Sequence, residues 1–231
     1  MRTSHPHELW QRAAGRFVAL GAVISVALFV CAASAYPGGS HFDHHAPGHD
    51  FFRNSLCDVA RSTAIGGGSN LVGAALARLS MTIMALGIGV LFWVLPQRFP
   101  SSPRTGTLVR GLGTVATPAA IAVVFLPTDH YGSVHGTAIV TAGIPGLAAA
   151  AMAVTGLLRE RAASRLLGVL GTGTLVVGLF AFLLYVHELV TDGPPQTAVP
   201  TLEHIAALLL VTWMLAVTKP SWRSARGQHA D

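Results

Sequence analysis

Charge is what this chain has least of. Asp, Glu, Lys and Arg make up 11% of its 231 residues, against ~25% in an ordinary soluble domain. The shortage is concentrated: residues 17–37 and 79–96 carry no charged side chain at all. Cysteine is scarce too. Cys31 and Cys57 are the only two, which rules out a disulfide framework and permits a single bridge that nothing in their placement requires. Alternating apolar and polar ten-residue segments are missing, which argues against a transmembrane barrel. There is no phosphate loop, nucleophile elbow or dinucleotide fingerprint. Gly66-Gly67-Gly68 has no following Lys and reads as a flexible turn. A basic stripe is also lacking: the net charge of +5 is dispersed over four short segments, so nucleic acid is not an expected partner.

What the chain does have is long apolar runs. A helix needs ~20 apolar residues to cross the hydrocarbon layer. Six segments meet that length or approach it, at about 17–36, 74–95, 108–126, 136–157, 166–187 and 202–218. Backbone groups in lipid must pair within their own segment, so the spans are helices. The expected fold is an all-α polytopic bundle of six transmembrane helices in one integral membrane domain over 1–231, with a long loop at 37–73. Twelve Lys and Arg against three acids fall at one side of the spans; three against seven fall at the other, with eight of the eleven His. The Lys/Arg bias places the first side in the cytoplasm with both termini, and the loop outside, in the inner (plasma) membrane of the cell. One competing reading concerns the first span. Its basic lead, apolar run and Ala33-Ser34-Ala35 also resemble a cleavable signal peptide. The run of about twenty residues is long for such a signal and suits a retained span.

Small residues recur at helical spacing: Ala142, Gly146 and Ala150 in span four, Gly168, Gly171 and Gly178 in span five. Small side chains let helices approach closely in lipid, so these two spans are expected at the centre of the bundle. Pro118 and Pro145 each remove a backbone donor and are expected to kink spans three and four. In the loop, order is expected from Phe51 onward and mobility before it, with Phe51 and Phe52 at headgroup level.

The ionisable residues collect at the outer ends of the spans. Asp58, Arg78, Asp129 and Glu203 form a candidate polar cluster. Arg78 stands about one turn inside span two, where a charge is costly and rarely idle. It either extends its stem to the interface or pairs with Asp58, Asp129 or Glu203. His135, His187 and His204 with Asp129 are a candidate zinc set, since a zinc ion with an open position would supply hydroxide for hydrolysis. Against it, no span holds the paired His spacing of recognised zinc motifs. His41, His44, His45 and His49 form a second group, which Pro47 and Gly48 keep off any helix. They would bind metal weakly or gain charge near pH 6.5. Thr201 after Pro200 reads as the cap of the last helix, with Glu203 at its positive end.

Tyr36-Pro37-Gly38, then Phe52-Arg53-Asn54-Ser55-Leu56-Cys57-Asp58 and Asn70 before span two, resemble the bacterial membrane proteins of domain-of-unknown-function type 998. These are distantly similar to the DRAM/Sfk-type family. Asp58 matches the family's loop aspartate, while Cys57 and Val59 stand where serine and leucine are usual. Pro127-x-Asp129 and His135 resemble its polar turn between spans three and four. The resemblance implies six helices and membrane location, and no reaction. A second similarity, to the alkaline ceramidases, rests on residue types: those enzymes hold zinc with a Ser, an Asp and three His on seven helices. Here the seventh span is missing, and Leu208 stands four after His204. The expected function is therefore an integral membrane protein without a cofactor, with an ordered polar cap that contacts lipid, a protein partner or a second copy. The alternative is a zinc-dependent hydrolase of lipid amides or esters. A proton- or metal-coupled carrier needs a polar path, and the inner halves of the spans hold almost no ionisable residue.

Overall fold

A computed structural model describes residues 6–160, 165–191, 193 and 195–219. Its helices are α1 (Pro6–Ala35), α2 (Leu71–Val94), α3 (Pro103–Phe125), α4 (Thr128–Tyr131), α5 (Ser133–Arg159), α6 (Arg165–Thr191) and α7 (Ala198–Thr218). The fourth is a single turn. The other six are long and apolar enough to cross a membrane, which makes the chain a multi-pass membrane protein.

The helices outrun their apolar segments. The first starts at Pro6 rather than near residue 17, carrying Arg12 and Arg16 on its extension. Pro6 and Pro103 both stand at the head of a helix, where a missing N–H costs nothing. The last helix starts at Ala198, so Thr201 is not its cap. Pro200 sits inside the first turn, where no intrahelical donor is needed. Pro118 and Pro145 lie within helices that continue past them.

Each span packs on the next: α1 on α2, α2 on α3, α3 on α5, α5 on α6, α6 on α7, and α7 returns to α1. The six spans close into a ring. This corrects the expectation that spans four and five, here α5 and α6, occupy the centre. Their glycines are recesses in the wall. A Cβ on Gly143 would strike the Phe182 ring, one on Gly156 would lie 2.7 Å from the Phe99 ring, and one on Gly171 would lie 2.9 Å from the Trp213 ring. Close approach is gained by seating a large ring against a bare backbone, which is how helices gain contact where lipid removes any hydrophobic drive.

The half of the ring nearer the termini is filled. Val18, Leu91, Leu95, Phe99, Trp213 and Met214 are almost wholly buried there. Arg98 ties this end together by donating to the carbonyls of Val217 at 2.5 Å and Lys219 at 2.8 Å. These carbonyls lack partners within α7.

The loop after α1 folds into a cap over the other end. Asn54 is its hub, donating to the Gly39 carbonyl at 2.8 Å and accepting from the Asp50 N–H at 2.9 Å. Gly39 donates to Ala46 at 2.8 Å, and Gly38 bridges Pro47. Gly39 takes φ 85° with its α-carbon against the Gly66 backbone, a position closed to any side chain. Asn70 closes the far side by donating to the carbonyls of Val59 and Arg61, each at 2.9 Å. The His-rich stretch before Phe51 is therefore a folded part of the cap, contrary to the sequence expectation. Polar side chains satisfy its backbone from within, which hydropathy does not register.

Candidate functional site

Between the cap and the filled half, the ring encloses a cavity of about 900 Å³ lined by all six spans and the cap. Its walls are apolar in effect as well as in composition. The hydroxyls of Ser25, Ser80 and Thr117 each donate to a helix carbonyl at 2.7 Å, and that of Thr174 does so at 2.9 Å. None is left to face the space. Trp213 lies at the floor, and its indole N–H has no partner.

The titratable lining residues gather under the cap, where His49, Phe51, Leu56 and Cys57 meet Tyr185, Glu203 and His204. Glu203 accepts from the Leu56 N–H at 3.1 Å and so pins the cap to α7. The Phe51 ring lies 4.3 Å from the His204 ring, with His49 5.6 Å and Phe29 6.1 Å from it. His204 is 5% exposed, and its Nδ1 lies 2.7 Å from the Pro200 carbonyl. A carbonyl only accepts, so Nδ1 carries the proton and Nε2 presents a lone pair. That Nε2 has no partner, and neither does the Nε2 of His49. Burial holds the His49 pKa below its ordinary value. Burial also pushes the Cys57 thiol up, and both cysteines are free.

Most of the residues that line the cavity are shielded from the outer surface. Of its lining residues only Val30 and Ser34 on α1, Phe51 in the cap and Leu208 on α7 are exposed. All four border the seam between the first and last helices, and Val30 and Leu208 keep 57% and 55% of their surface accessible.

Asp58, Arg78, Asp129 and Glu203 all bear on the cap, with Arg78 and Asp129 meeting at Ser62. Asp129 accepts from the backbone N–H groups of Ser62 at 2.9 Å and Thr63 at 3.2 Å. Arg78 donates to the Ala60 carbonyl at 3.1 Å and the Ser62 hydroxyl at 2.9 Å. Among the described residues, then, its partners are loop oxygens rather than any of the three carboxylates. Asp58 accepts from the Ser55 N–H at 2.8 Å. Its other oxygen lies 3.6 Å from His41 Nε2, and the nearby carboxylate raises the His41 pKa.

The proposed zinc ligands do not converge. His135 is buried with Nδ1 at 2.7 Å from the Leu126 carbonyl, His187 is exposed on α6, and His204 faces the cavity. Asp129 is engaged by the cap. Among the described residues no group of three His, Cys, Asp or Glu is placed to hold a metal. Of the second histidine group, His41, His44 and His45 are exposed while His49 turns inward.

Sequence reasoning missed the cavity. Ala142, Gly146 and Gly178, read as helix-contact residues, line it. The signal was present in span four, where Ala142, Gly146 and Ala150 share one small apolar face with Ile139 and Leu147. Such a face suits a neighbouring helix or an enclosed space equally well. No family model matches the chain, and no curated protein or solved structure matches it significantly.

Proposed function

We propose that this protein holds the apolar chain of a membrane amphiphile inside its ring, head toward the cap. The cavity carries the reading. Its volume of about 900 Å³ is within the range of ligand pockets, ~300–1,000 Å³, and its lining below the cap is predominantly apolar. The exposed border residues of the α1–α7 seam are mostly apolar, so the ligand enters sideways from the bilayer. On the positive-inside argument, the cap end faces away from the cytoplasm in the plasma membrane. Asp58, Arg78, Asp129 and Glu203 keep the roof in register over the chamber.

The test is to fill the chamber. Gly178 lines it, and a Cβ there meets nothing closer than Leu147 at 4.0 Å. Gly178→Leu and Ala207→Leu should therefore fold and lose the ligand. Purified wild type and variants are exchanged into nanodiscs of one synthetic lipid, and the retained cellular lipid is measured by mass spectrometry. Wild type is expected to keep a stoichiometric amphiphile that the filled variants lack. Equal content in all three would refute the reading.

A further inference from the structure

The atoms left unpartnered under the cap define what head the ligand brings. We infer that the site selects a single-chain amphiphile whose head donates a hydrogen bond, an alcohol or an amine, over one with an anionic head; this rests on the chain-holding reading above. Three observations lead there. His204 Nε2 is an acceptor by its tautomer, is buried without a partner, and belongs to a side chain that lines the chamber. An acceptor left alone in such a place costs free energy that a ligand donor recovers. Glu203, next in the chain, lines the same roof and is the only residue of formal charge among the lining side chains. Its Oε2 already accepts from Leu56, so its carboxyl adds acceptor capacity and supplies no positive charge. No Lys or Arg lines the cavity. A carboxylate or phosphate head would thus meet a lone pair and an acid without a compensating cation, which is unfavourable at low dielectric.

The apolar rings finish the selection. Phe51 at 4.3 Å and Phe29 at 6.1 Å from His204 leave a narrow polar spot in an apolar ceiling. Such a spot holds one small head rather than a large zwitterion.

The experiment is displacement of radiolabelled hexadecanol from the full chain in nanodiscs at pH 8, with hexadecanol, hexadecylamine and palmitate as competitors. Chain length is constant across the set, so the head alone differs. Hexadecanol or hexadecylamine should displace the label at least tenfold better than palmitate. His204→Phe keeps a flat ring against Phe51 and removes the acceptor; it should cut the preference at least fivefold and leave palmitate unchanged. Palmitate competing as well as the alcohol in wild type overturns the inference, and so does an unchanged preference in a folded His204→Phe. If that variant does not fold, the wild-type ranking decides by itself. Saturable label binding that Gly178→Leu abolishes, without head preference, overturns the inference and leaves the chain-holding reading standing. No saturable binding of hexadecanol to the wild type would overturn both.

Discussion

Removing the Arg78 guanidinium should release one strip of the cap and little else. Arg78 is half-buried and makes two charged hydrogen bonds, to the Ala60 carbonyl and the Ser62 hydroxyl. The two are unequal. Ser62 is partly exposed, so water replaces the lost donor at small cost. Ala60 is 4% exposed, so in Arg78→Ala its carbonyl stays buried without a partner, a penalty of ~1–3 kcal/mol. With the lost bond at Ser62 added, the local cost is about 2 kcal/mol, or roughly 30-fold faster opening of the strip. Native-state hydrogen exchange in nanodiscs reads this at the Ala60 and Arg61 amides, which donate to Cys57 and Asp58. Asp129→Asn touches the same strip from the other side, through the Ser62 and Thr63 amides. Because both variants act on Ser62, their combined effect should be less than additive. Wild-type exchange at residues 60–63 in Arg78→Ala would refute the idea that this arginine holds the cap.

Four further outcomes follow from the same geometry. The His41 pKa is raised by Asp58, so its contribution to cap stability is present below the ordinary value of about 6.5 and fades as pH rises through the raised one. The difference in cap exchange between wild type and His41→Gln should accordingly be larger at pH 6 than at pH 8.5, and an equal difference would remove the His41–Asp58 link. Burial disfavours the Cys57 thiolate, so alkylation of Cys57 by iodoacetamide at pH 8 should be far slower than in the unfolded chain, as peptide mapping would show. In the wall, a Cβ on Gly113 would lie 2.6 Å from Phe92, whereas one on Gly146 meets only Ala116 at 3.8 Å. Gly113→Ala should lower stability in detergent by ~1–3 kcal/mol, while Gly146→Ala should leave the melting temperature near wild type. Leu208→Trp narrows the seam, and should slow hexadecanol exchange in stopped flow while leaving the amount bound at equilibrium close to wild type.

The sequence made the spans legible because apolar length is a one-dimensional property that lipid reads directly. The six runs became six helices, with ends displaced where other physics took over. Pro200 shows this: it looked like a stop before a Thr cap, yet a proline in a first turn loses no hydrogen bond. The cap was half legible. The Gly66-Gly67-Gly68 run marked a turn, but the contacts of Asn54 with Gly39, fifteen residues away, carry no periodic signature. The chamber was not legible at all. Whether Ala142 and Gly146 face a helix or a void depends on how the ring closes, and closure is a relation among six segments. His204 looked like a possible metal ligand because its residue type was visible, while the proton on its Nδ1 is set by a carbonyl four residues back.

The ring is closed where its first and last spans meet, α1 against α7. Ribosomal synthesis makes α1 first and α7 last, so the other five junctions can form while a vertical slot still stands open to the bilayer. On the chain-holding reading proposed above, a protein assembled in that order would mature around whatever lipid already fills the slot. Its first occupant would then be acquired at birth, and later exchange would have only to reopen the junction that was sealed last.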